Sequence, residues 1–101
     1  MPATPLSGKQ NRFLRGLGHH LNPVVLIGKD AVSQGVVDSI EEALDQHELI
    51  KIKLLESCLM DRKEVAEQLA TTTAGAIVQI LGRTILLFRA TPEGKIELPK
   101  K

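Results

Sequence analysis

The chain has no tryptophan, no tyrosine and only two phenylalanines, Phe13 and Phe88, among its 101 residues. Stacking single-stranded bases on aromatic rings is therefore not the main mode of recognition open to it. A single cysteine, Cys58, rules out an internal disulfide and agrees with a reducing compartment. A lone cysteine near a strand end reads as a small apolar filler. No apolar run approaches the length of a bilayer span, and the N-terminal MPATPLSGKQ lacks the charged-then-apolar order of a signal peptide. The expectation is a cytoplasmic protein that makes no use of a membrane.

The signatures of catalysis are also missing. The three histidines, at 19, 20 and 47, form no HxxxH, and there is no CxxC, no GxSxG, no Walker sequence and no carboxylate pair at metal spacing. Residues 28–31 lack the glycine pattern of a dinucleotide fingerprint. No metal, no cofactor, no small-molecule substrate and no enzymatic activity are expected.

What the chain does have is charge in blocks. Residues 1–37 carry Lys9, Arg12, Arg15 and Lys29 against Asp30, a balance of +3. Residues 38–67 carry nine acids against Lys51, Lys53, Arg62 and Lys63, a balance of −5, and the remainder returns to +3. A fold that keeps these blocks apart would have faces of opposite sign.

Residues 1–6, with two prolines, read as a flexible arm, and residues 99–101 as a basic tail, leaving one domain over 7–98. Ser7 is a candidate N-cap for a short basic helix from 8 to about 17, with Phe13, Leu14 and Leu17 on one side. The run 24–27, VVLI, is apolar throughout and rich in β-branched residues, as in a strand buried on both faces or paired in parallel. Gly28 stops it, and the turn Gly28-Lys29-Asp30-Ala31 leads into an amphipathic helix. That helix places Val32, Val36, Ile40, Ala43, Leu44 and His47 inward and Asp38, Glu41, Glu42 and Asp45 outward. A helix N-terminus behind a glycine-containing turn is an anion site, since unpaired N–H groups and aligned peptide dipoles favour negative charge there. Asp30 is read as the cap of this helix.

Residues 49–55 alternate, with Ile50, Ile52 and Leu54 on one face and Lys51, Lys53 and Leu55 on the other. Asp61 caps a third helix to about 73, which Gly75 ends, and two β-rich runs, 76–81 and 84–89, flank the hairpin signal Gly82-Arg83. The order α-β-α-β-α-β-β implies a single α/β domain with a four-stranded mixed sheet. Within it, Lys29, Arg12, Arg15, His19, His20, Lys51 and Lys53 are expected to converge on one basic surface, extended by Arg83 and Arg89. Such a surface suits the backbone and shape of structured nucleic acid.

With these residues in hand, the sequence resembles the CRS1–YhbY (CRM) RNA-binding domain family, and in particular its small stand-alone bacterial members. The match is carried by RFLRGLGHHLNPVVLIGKDAVSQGVVDSIEEALDQHELIKIKL over 12–54 and by VQILGRTILLFR over 78–89. The resemblance implies a fold similar to the C-terminal domain of the third bacterial translation initiation factor. It also implies RNA binding through a GxxG-type loop, comparable to that of KH domains, with basic residues around it. Stand-alone members are associated with precursors of the large ribosomal subunit, so the implied partner is ribosomal RNA and the implied role is ribosome assembly, by a monomer. The matching loop is Gly28, Lys29, Asp30 and Ala31. Alanine replaces the second glycine and pays a steric penalty at positive φ that glycine does not, which narrows the expected contact to Gly28, Lys29 and the flanking arginines. The alternative reading is a protein-interaction module whose acidic helix, residues 38–48, docks a basic ribosomal partner.

Overall fold

The computed structural model describes residues 6–100. Ser7 opens α1 (Gly8–Gly18) with a reciprocal pair of bonds: its Oγ accepts the Gln10 N–H at 3.1 Å and the Gln10 side chain accepts the Ser7 N–H at 3.1 Å. Two of the helix's unpaired donors are thereby satisfied. There follow β1 (Val25–Ile27), α2 (Gln34–His47), β2 (Leu49–Leu54), α3 (Arg62–Thr73), β3 (Ala76–Leu81) and β4 (Thr84–Phe88), the expected order. The sheet runs β1-β2-β4-β3, with β1 parallel to β2 and the other pairs antiparallel. Gly82, at φ +59, supplies the positive φ of the two-residue turn between β3 and β4.

The two faces of the sheet are covered unequally. On one, Val25, Ile27, Ile50, Ile52, Leu54, Ile85 and Leu87 pack against Ile40 and Leu44 of α2 and Val65, Ala66 and Leu69 of α3. On the other, α1 sets Leu14 against Leu49, Val78, Leu86 and Phe88, with Leu6, Ile96 and Leu98 beside them. Gly18 brings α1 down onto the sheet, for a β-carbon there would lie 2.5 Å from Leu86 Cδ1. One helix cannot cover four strands, and part of this second face stays open.

Several expectations need correcting. The buried stripe of α1 is Gln10, Leu14 and Gly18, whereas Phe13 and Leu17 are exposed. Leu6, assigned to the arm, is half-buried on the second core, while residues 1–5 and 101 lie outside the described residues. Pro99, assigned to the tail, accepts a bond from Gln10 Nε2 through its carbonyl at 3.1 Å. β1 is buried on one face only: Val24 and Leu26 are 51% and 56% exposed. Helix α2 begins later than the pattern suggested, with Val32 ahead of it and His47 exposed at its end. α3 is ended by Ala74, at φ 56, and not by Gly75. Gly75 lies against Leu87, where a β-carbon would come within 3.2 Å.

Candidate nucleic-acid interface

Charge divides across the sheet. α1 has no acidic residue and exposes Lys9, Arg12 and Arg15 to solvent. Lys51 and Lys53 project from β2 on the same side as Leu49, which packs under α1. His19 follows α1 directly and lines a small hollow with Lys51, Gln79, Leu81 and Thr84. His20 is exposed beside it, the two imidazoles meeting edge to face at 5.7 Å and 83°. The acidic residues of α2 lie on the other side of the sheet. Among the described residues, none of Arg12, Arg15, Lys29, Lys51 and Lys53 has an ion-pair partner.

The turn at residues 28–31 sits where β1 ends. The Ala31 N–H donates to the Gly28 carbonyl at 3.0 Å, closing a turn that leaves Lys29 and Asp30 exposed at its tip. Ala31 takes φ 46, so the left-handed geometry of a second glycine is present without the glycine. At Gly28 a β-carbon would stand 3.0 Å from Ser57 Oγ, a tight contact with an exposed side chain. Asp30 does not cap α2. Ser33 does, its Oγ accepting the Val36 N–H at 3.2 Å. The turn and the helix N-terminus are thus separated by residues 32 and 33, and the turn presents its own charge and backbone rather than the end of α2.

Arg83 reaches this end of the sheet, where its Nη1 donates to the Leu55 carbonyl at 3.2 Å and the rest of the guanidinium stays exposed. Arg62, which the sequence reading left out, is held beside it by the Gly82 carbonyl at 2.8 Å. Arg89 does not join the basic surface. It donates to Glu41 Oε2 and the Thr73 carbonyl at 2.7 Å each and to Asp45 Oδ1 at 2.9 Å, on the α2 side, with its side chain only 19% exposed.

The acidic helix is correspondingly committed. Glu41 and Asp45 pair with Arg89, and Glu48, which ends α2 at φ 64, is fully buried. Its carboxylate accepts the N–H groups of Thr91, Lys95 and Ile96 at 3.0, 3.1 and 2.9 Å, and the Thr91 hydroxyl as well. Burial pushes its pKa up, but the Thr91 hydroxyl and the three backbone donors outweigh that and hold it at about 2. Glu48 therefore ties residues 91–96 to the end of α2, and Ile96 and Leu98 continue from there into the core under α1. Three of the acids at residues 38–48 are thus used internally, while Asp38 and Glu42 stay exposed.

Four similarities to known proteins bear on this arrangement. The family model for the CRS1 / YhbY (CRM) domain matches residues 6–89. A Haemophilus influenzae protein named RNA-binding protein is 43% identical over 98 residues, covering 97% of this chain and 99% of that one. The Bacillus subtilis protein named Probable RNA-binding protein YqeI is 44% identical over 95 residues, covering 93% and 99%. The solution structure of a candidate RNA-binding protein from Staphylococcus aureus superposes with a TM-score of 0.81 at 40% identity, covering 94% of this chain and all of that one. An α/β domain with a four-stranded mixed sheet and an acid-free helix over one face is the class that the fold defines. The chain belongs to the CRS1 / YhbY (CRM) domain family.

Proposed function

We propose that this protein binds RNA along the face built from α1, the histidine connector after it, the open half of the sheet and the turn at residues 28–31. The observation that carries the reading is the segregation of charge. Cations on this face have no acidic partner among the described residues, whereas Arg89, on the opposite face, is fully engaged. Unpaired lysines and arginines on one face bind a polyphosphate by releasing its counterions, an affinity independent of sequence. The names of the relatives point the same way. Gly28, Lys29, Asp30 and Ala31 form the centre of the surface, with Arg12, Arg15, His19, His20, Lys51, Lys53 and Arg83 around it, and Arg89 is withdrawn.

The finer reading is that the RNA is ribosomal RNA of the large-subunit precursor and that a cytoplasmic monomer assists its assembly. It rests on the resemblance to the stand-alone bacterial members of the family. The test has two arms. Lys29→Glu combined with Arg12→Glu abolishes RNA retention on a filter, an expected loss of about 100-fold or more, while thermal stability is kept; unchanged retention would place the RNA surface elsewhere. Crosslinking in cells, followed by reading of the crosslinked positions, then returns large-subunit precursor RNA if the finer reading is right, and scattered RNAs if only the coarser one is.

A further inference from the structure

Between the end of α1, the start of β1 and the end of α2 lies an open cleft of about 430 Å³, lined by Leu17, Leu21, Val24 and Leu49 with Asn22, His47 and Lys51 among the polar groups. Three of its aliphatic walls, Leu17, Leu21 and Val24, are 36–51% exposed. The proposed RNA path explains why they are not covered from within the domain. Lys51 lines both this cleft and the adjoining hollow of His19, so the cleft opens directly onto the cationic face. Val24 lies four residues from Gly28, about 13 Å along an extended strand, a distance that a few nucleotides of backbone cover. Leu26, 56% exposed, and Lys53, its partner in register, fill the interval.

We propose that this cleft receives an unpaired nucleobase from RNA whose phosphates lie on Lys51, Lys53 and the turn at residues 28–31. The inference rests on the RNA-binding reading and deepens it. The volume is ample for one base with its sugar. The aliphatic side chains take up the apolar faces of the ring by burial, in place of stacking on an aromatic ring, since neither Phe13 nor Phe88 lines the cleft. Asn22 has both donor and acceptor atoms for a base edge, and His47 has a ring nitrogen. A purely apolar peptide would make no use of the lysine at the cleft wall or of the cations beyond it. A nucleotide strand uses both. The protein would then prefer RNA with unpaired positions to a blunt duplex, although its phosphate contacts alone favour neither.

The test compares a short single-stranded oligoribonucleotide, the same oligonucleotide with abasic positions, and a blunt RNA duplex of equal length, by titration against methyl-labelled protein. The expected result is that the single strand shifts the methyl signals of Leu17, Leu21, Val24 and Leu49 and binds about tenfold more tightly than the abasic strand. The abasic strand still shifts the amides of Lys29, Lys51 and Lys53. Leu21→Ser with Val24→Ser, both at exposed positions, removes the difference between the two strands and keeps the salt dependence. Amide shifts without methyl shifts, or equal affinity for both strands, would overturn the base cleft and leave the RNA surface standing. If none of the three RNAs shifts the lysine amides, the RNA-binding reading itself fails. Methyl shifts with an apolar peptide and none with the single strand would assign the cleft to a protein partner.

Discussion

The two faces of the sheet differ in what is done with charge and with apolar surface. Under α2 and α3, the sheet side chains are close to fully buried and Arg89 is held by two carboxylates and two carbonyls. Under α1, only the half of the sheet around Leu86 and Phe88 is covered, while Val24, Leu26, Lys53 and Leu81 stay exposed. A domain gains stability from satisfied groups and binding from unsatisfied ones, since an ion pair already made within the chain has little left to offer a ligand. In this chain the two requirements fall on opposite sides of one sheet, and variants on one side are expected to leave the other side's property alone.

Glu48 is the residue most able to break that separation, because it belongs to the α2 side and anchors the segment that supports α1. Glu48→Ala leaves the N–H groups of Thr91, Lys95 and Ile96 without their acceptor, and an expected loss of about 3 kcal/mol follows, read as a lower Tm or denaturant midpoint. Release of Ile96 and Leu98 from beneath α1 weakens RNA binding as well, so this one site lowers both properties. The pH dependence has a definite sign. The folded pKa of about 2 lies below the ordinary 4.5, so the contribution is complete above about pH 4.5 and is lost as pH falls from there towards 2. Glu48→Gln removes that part of the acid sensitivity; a pH–stability curve identical to that of the unaltered protein would show that the carboxylate charge is not what holds residues 91–96.

Arg89 sharpens the comparison in the other direction. Arg89→Met strips Glu41, Asp45 and the Thr73 carbonyl of their donor. Glu41 and Asp45 are partly open to water, at 40% and 71% exposed, so the expected destabilisation is about 2 kcal/mol, less than for breaking a buried pair. RNA affinity should change by less than about twofold, a small fraction of what a lost phosphate contact costs. A large fall in affinity with intact stability would return Arg89 to the RNA surface.

These residues also mark where the sequence is legible. The Ser7 and Asp61 caps and the Gly82 turn are set by residues within a few positions of one another, and the order of elements follows from them. Arg89 reads as one more cation of a basic block because its carboxylates lie 44 and 48 residues away, and Glu48 reads as one more acid of a helix because its donors lie 43 to 48 residues away. The run 24–27 fails differently. An unbroken apolar strand looks buried on both sides, and nothing local says that α1 stops short of Val24 and Leu26. The cap of α2 is a near tie between two good cap residues, Asp30 and Ser33, resolved by the packing of Ala31 and Val32 against the core, which keeps the chain out of the helix until Gln34.

The smallest effect is expected for Ala31→Gly, where the turn meets the core. The Ala31 φ of 46 is a region that costs a non-glycine residue roughly 1 kcal/mol or slightly more. Ala31→Gly removes that strain, but glycine also frees the unfolded chain by about 0.5–1 kcal/mol, so the net gain is a few tenths of a kcal/mol and Tm rises by no more than a few degrees. Ala31→Val is the informative opposite: a β-branched side chain tolerates positive φ worse than alanine, and a loss of about 2 kcal/mol is expected. If the turn grips phosphate through its backbone and Lys29, the glycine variant keeps RNA affinity within about twofold, because the conformation is already the one that glycine would adopt. A glycine variant that bound RNA many-fold more tightly would mean that alanine holds the turn away from its binding geometry, and that the open face is less prepared for its ligand than its unpaired cations suggest.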